Sequence, residues 1–172
     1  MGCKFVEQLA RLRKLSAESV DNTNAFDEFK EYIHVERPVE RELRNLLRKL
    51  NKTPQKRLVL LCGSAGDGKS HLLSYLKNVD SEKLLEDYEL YNDATESSAP
   101  NLTSIDTLAD KLQDYDDEHY LIDDGKKMIL AINLGTLNNF IESEKGKRFS
   151  ALKQYVDGTI RTYTCISPYK FF

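Results

Sequence analysis

The chain has 172 residues, 40% hydrophobic and 31% charged, the composition of one soluble globular domain with a buried core. No apolar run approaches the roughly 20 residues of a membrane helix, and MGCKFVEQLARL lacks the apolar centre of a signal peptide. The formal net charge of -3 supplies no overall drive toward nucleic acid.

Charge is unevenly spread. The segment before residue 57 is mildly basic and the stretch from Asp80 to Asp124 is acidic. A DNA-facing surface would fall on the first part; the plainer reading of both is a solvated helix face. Cys3, Cys62 and Cys165 are odd in number, widely spaced and in no metal-ligand pattern. With the missing signal they point to a reducing cytoplasm. Gly2-Cys3 invites lipidation, but Val6 stands where a myristoylation motif needs Ser or Thr.

In chain order, Phe5, Leu9, Leu12 and Leu15 have helical spacing. AFDEFKEYI reads as a second, short helix with Asn24 near its cap. A third begins at Pro38, with Val39, Leu43, Leu46, Leu47 and Leu50 on one stripe. The period then changes. Leu58 to Cys62 is a continuous apolar run, as in a strand buried on both faces. GSAGDGKS follows, and SHLLSYLKNV returns to a helix with Leu72, Leu73 and Leu76 inward. A second strand is expected at Tyr88 to Tyr91, ending in NDATES. SIDTLADKLQDY reads as a helix capped near Ser104, with Ile105, Leu108 and Leu112 inward. Lys127 to Ile132 is another buried strand, LNNFIES and FSALKQYV are helical, and TIRTYTCI alternates like a late strand.

Gly63, Gly68, Lys69 and Ser70 fill the fixed positions of G-x-x-x-x-G-K-[ST]. The chemistry explains the spacing. A polyphosphate must be wrapped by backbone N–H groups, and glycines, here Gly66 as well, permit the angles and the close approach. The following helix offers unpaired N–H groups and a favourable dipole. The expected nucleotide contacts are Gly63, Ser64, Ala65, Gly66, Asp67, Gly68, Lys69, Ser70 and the adjoining His71. Lys69 would reach the β- and γ-phosphates of ATP, and Ser70 would ligate Mg2+. His71 itself reads as a packing or capping residue rather than a catalyst. Cys62, at the end of the apolar run, reads as core rather than nucleophile.

The expected fold is α/β, a P-loop NTPase of the additional-strand, AAA-like kind: a three-layer sandwich with a parallel sheet. An N-terminal helical segment (1–56) precedes a core (57–172). A GTPase would need an N-K-x-D element after the loop; Asn51-Lys52 precedes it and lacks the Asp. A small-molecule kinase would need an arginine-rich lid, and only Arg148 and Arg161 follow the loop. The acid that handles magnesium or water is less plain. MILAI ends in Asn133, not Asp. Asn133 fits either a polar contact to the γ-phosphate or its water, or a residue that satisfies backbone groups. Asp123 in YLIDD reads as loop. NDATES holds Asp93, a candidate metal ligand, and Glu96, a candidate general base; an acidic loop that caps the next helix is the competing reading.

YIHVERPVERELRNLL, LLCGSAGDGKSHLLSYL, YNDATES, IDTLADKL and ILAINLGTLNNF occur in this order between about Tyr32 and Phe140. Together they resemble the N-terminal ATPase region of the DptF family of phosphorothioation-dependent DNA restriction proteins. NDATES and AINLGTLNNF carry the resemblance beyond the loop. It implies ATP use in restricting unmodified DNA, in concert with other restriction-system proteins; the absence of a long apolar run adds the expectation of no membrane partner. It carries over Gly63, Gly68, Lys69 and Ser70 as nucleotide contacts and marks Asp93, Glu96 and Asn133 for testing. Relatives of the AAA-like kind often form rings, so an oligomer is possible, although no arginine finger can be assigned. No PD-(D/E)xK or HNH-like nuclease pattern is visible. From Arg57 onward there is room for about four strand-helix units at roughly 30 residues each, so the core is expected to be truncated. An ATPase component, a non-hydrolytic nucleotide switch and a small phosphotransferase are the three functions in play.

Overall fold

The computed structural model describes residues 31–32, 34–92, 104–122, 126–161 and 169–171. Helix α1 spans Pro38–Leu50. Its proline sits in the first turn, and Arg37 before it is extended, at φ -111 and ψ 158, as the residue before a proline must be. Leu43 and Leu47 are buried, with Val39, Leu46 and Leu50 partly covered beside them, which is the expected stripe.

Strand β1 (Leu58–Gly63) leads through the glycine loop into α2 (Lys69–Asn78). Next come β2 (Tyr88–Asn92), α3 (Ser104–Lys111), β3 (Lys127–Asn133), α4 (Leu134–Glu142), α5 (Ser150–Arg161) and β4 (Tyr169–Phe171). The strands form one open sheet in the order β2-β3-β1-β4. Every pairing is parallel; β1 meets β3 from Leu58 opposite Met128 to Gly63 opposite Asn133.

Strand alternation divides the core into two. Leu58, Leu60, Met128, Leu130 and Ile132 face α3, α4 and α5, meeting Leu108, Leu112, Leu137, Phe140, Leu152 and Val156. Val59, Leu61, Ile129 and Ala131 face the other way, toward Leu43 and Leu47 of α1 and Leu72, Leu73 and Leu76 of α2. The fold is therefore α/β, with helices on both faces of a parallel sheet, and α1 from the segment ahead of residue 57 contributes to the same core. Burying each such leucine or isoleucine contributes roughly 1.5–3 kcal/mol. No helix among the described residues is long and apolar enough to cross a membrane.

Two expectations change. Of TIRTYTCI, residues 159–161 continue α5 rather than starting a strand; 162–168 lie outside the described residues. A helix already under way gains a hydrogen bond for each residue added, and that outweighs the weak β preference of Thr and Ile. The late strand lies further on, at Tyr169–Phe171. Ser104 is the first residue of α3 itself rather than its cap. In YLIDD, Tyr120 to Ile122 form turn and coil, and Asp123 lies outside the described residues.

The uneven charge resolves partly into internal pairs. Arg44 bridges Glu40 and Asp80 at 3.0 and 2.6 Å, and Arg48 grips both carboxylate oxygens of Glu82 at 2.7 Å. The basic face of α1 and the acidic turn after α2 thus answer each other.

Asp117 starts α5: its two carboxylate oxygens accept from Ser150 N and Ala151 N, each at 2.9 Å. Burial opposes its ionisation, but these backbone donors together hold its carboxyl below the usual range. A depressed native value adds stability above the unfolded carboxylate range and loses it as pH falls through the native one. Asp117→Ala should therefore cost about 0.5–1 kcal/mol at neutral pH. In urea titrations its difference from the parent chain should shrink toward low pH, and a constant difference would exclude a contribution from the Asp117 charge.

Candidate phosphate-binding loop

The loop between β1 and α2 has the backbone its glycines demand. Gly66 has φ +86 and Gly68 φ +76, in the left-handed region that costs other residues strain. A Cβ on Gly63 would stand 2.6 Å from Asp67 Oδ2 and would displace that carboxylate. That carboxylate accepts from Ser64 N at 2.5 Å and pinches the first turn of the loop. Lys69 reaches back across the loop and donates to Ser64 O at 2.7 Å. Gly68 caps α2 with no side-chain hydrogen bond. The start of the helix thus lacks a side-chain cap where its dipole favours an anion.

The parallel sheet delivers two further residues to this edge. Asn133 ends β3 opposite Gly63. Its Oδ1 accepts from Gly135 N at 2.7 Å and so caps α4. Of the two roles open for Asn133, this is the backbone-satisfying one. Asn92 ends β2 and is buried, and its Nδ2 donates to Ser70 Oγ at 2.6 Å. Asp93 and Glu96, which follow it, lie outside the described residues.

His71 meets the segment ahead of α1. Its Nε2 lies 3.1 Å from His34 Nδ1, so one ring must donate and the other accept. The His34 ring stacks on Tyr75 at 3.5 Å between centroids and 8° between planes. His34 Nε2 and Glu40 Oε2 are 3.0 Å apart, and neither atom has a hydrogen-bond partner. This is the packing role expected of His71. Behind the loop, Arg37 Nη1 donates to Asp67 O at 2.6 Å and Nη2 to Gly68 O at 3.4 Å.

Gly63 through Ser70 thus form the passage from β1 into α2, with Asn133 at its margin and His71 in a separate contact. Sequence reasoning missed Arg37 and Asn92. Period-two alternation from Tyr88 through Leu90 would have put Asn92 on the α2 face. Arg37 carries no local signal beyond its place before Pro38, since its target lies thirty positions on.

Among the described residues no group of three His, Cys, Asp or Glu side chains could hold a metal ion. Magnesium does not require one, because it keeps waters and takes phosphate oxygens; the Ser70 hydroxyl beside bound phosphates fits that mode. Set against known protein families, curated proteins and solved structures, the chain matches none.

Burial pushes the Cys62 thiol up to about 12, against a lowering by the charge of Lys69. Reactivity requires the thiolate. In a Cys3→Ser, Cys165→Ser background, iodoacetamide at pH 8 should therefore modify Cys62 more than about a hundredfold slower than free cysteine. Unfolding should restore the rate; rapid labelling of the native chain would make Cys62 a reactive group instead of core.

Proposed function

We propose that this chain binds ATP with magnesium at Gly63 to Ser70 and serves as the ATPase component of a bacterial phosphorothioation-dependent DNA restriction system. The observation that carries the nucleotide part is the loop itself: a buried parallel strand, two left-handed glycines and a lysine arched over the loop, all opening onto a helix start without a side-chain cap. The parallel order β2-β3-β1-β4 is compatible with a P-loop fold, and the additional-strand kind is assigned on NDATES: with the acid at the end of β2, one strand, β3, separates it from β1. The restriction role rests on the resemblance of NDATES and AINLGTLNNF to the DptF family, and DNA contact is assigned to the complex with other restriction proteins.

In this reading the backbone N–H groups of the loop bind the phosphates, and Lys69 exchanges its bond to Ser64 O for phosphate oxygens. Ser70 would hold magnesium, which neutralises charge on the phosphates when bound. Glu96 would orient the attacking water, and Asp93 would help to hold the metal.

A second reading, a nucleotide switch without hydrolysis, is favoured by one feature. The strand-end groups beside the loop are both amides, Asn92 on Ser70 and Asn133 opposite Gly63, and an amide cannot serve as a general base.

Lys69→Ala should weaken ATP binding by about a hundredfold, the ~3 kcal/mol of a strong contact between charged groups. Unchanged affinity by calorimetry would sink the phosphate-loop assignment. Steady-state hydrolysis of Mg-ATP, with and without duplex DNA and with Lys69→Ala as the blank, separates the two readings. Turnover that DNA stimulates supports the restriction ATPase, while tight binding without turnover supports the switch. If the chain hydrolyses ATP, Glu96→Gln should retain binding and lose turnover; retained turnover removes Glu96 as the base.

A further inference from the structure

We propose that Arg37, outside the loop and thirty residues ahead of its Asp67, is the positioning residue that sets the phosphate-binding backbone before any ligand arrives. The inference rests on the phosphate-loop reading above and extends it to a residue no motif includes.

A peptide unit is planar and trans, so the carbonyl of one residue and the N–H of the next point in opposite directions. Asp67 O faces the Arg37 guanidinium at 2.6 Å. The N–H of Gly68 must therefore point away from Arg37. Gly68 O also faces Arg37, at 3.4 Å, while accepting from Leu72 N at 2.9 Å. The N–H of Lys69 is fixed in the same sense. These two donors open the helix, where an anion would sit. Pulling carbonyls outward from behind is thus equivalent to turning N–H groups inward.

The surroundings are built for this contact. Pro38 keeps Arg37 extended and out of the helix. A Cβ on Gly68 would come within 3.0 Å of Arg37 Nη2, so glycine at this position admits the guanidinium as well as the left-handed turn. The neighbouring His34 stacks on Tyr75 of α2, which anchors the same strap to the helix that the loop opens. A planar fork with two donors suits two successive carbonyls; a lysine ammonium offers a point charge without that spacing.

The test is to measure Kd for Mg-ATP and for inorganic pyrophosphate in the parent chain and in Arg37→Ala, Arg37→Gln and Arg37→Lys, alongside thermal unfolding. Arg37→Ala should weaken both ligands by the same factor, about tenfold, as expected for loss of one charge-assisted hydrogen bond. Arg37→Lys should recover part of this, and millimolar guanidinium should partly rescue Arg37→Ala. A merely structural role would lower the unfolding temperature without such rescue. Should Arg37→Ala fail to fold, Arg37→Gln, which keeps a donor but not the charge, carries the same comparison. Loss of ATP affinity with pyrophosphate unchanged would mean that Arg37 reads the nucleoside, and the proposal fails. Unchanged affinity for both ligands overturns it as well. If the parent chain binds neither ligand, the phosphate-loop reading itself falls, and the role of Arg37 with it.

Discussion

The parallel pairing of β1 with β3 is the constraint on which the rest of the molecule depends. Parallel strands all finish at the same edge of the sheet, and in open α/β sheets ligands are met at that edge. Here it brings the end of β1 at Gly63, the end of β2 at Asn92 and the end of β3 at Asn133 into one row. A parallel sheet must also be covered on both faces, so each crossover helix starts near that same edge. The glycine loop is the first of these crossovers. Its backbone turns sharply because it passes from a strand buried over Leu58 to Leu61 to a helix packed on one face within five residues.

How far the sequence could be read follows from the range of the interactions involved. Periodicity reports what a residue does within its own element, so the stripe on α1 and the uninterrupted runs of β1 and β3 were legible as they stand. The loop was legible because its glycines mark the left-handed turns at Gly66 and Gly68. The end of α5 was misread because a short alternating stretch weighs less than a helix already under way. Contacts made across the fold left no local trace. Nothing around Arg37 announces carbonyls thirty positions ahead, and nothing at Asn92 announces Ser70. Asn133 was legible as a residue with two uses, and its bond to Gly135 N accounts for one of them.

Charge shows the same limit. Composition marks the segment before residue 57 as basic and the stretch after Asp80 as acidic, which reads as two separate surfaces. Folding places them side by side, and Arg44 and Arg48 meet Asp80 and Glu82. These partners reduce the basic surface that a polyanion would encounter on α1. The exposed Arg48–Glu82 pair adds little stability by itself; with the largely covered Arg44–Asp80 pair it fixes the orientation of α1 against the turn after α2.

That orientation has a mechanical consequence. The segment from His34 to Asn51 is fastened at intervals along its length. Arg37 holds the loop, Arg44 and Arg48 hold the turn after α2, and Asn51 Nδ2 donates to Leu84 O at 3.0 Å. A rod fastened at several points to one body cannot swing on a single hinge. α1 is therefore tied to the loop, to the turn after α2 and to Leu84 as one unit.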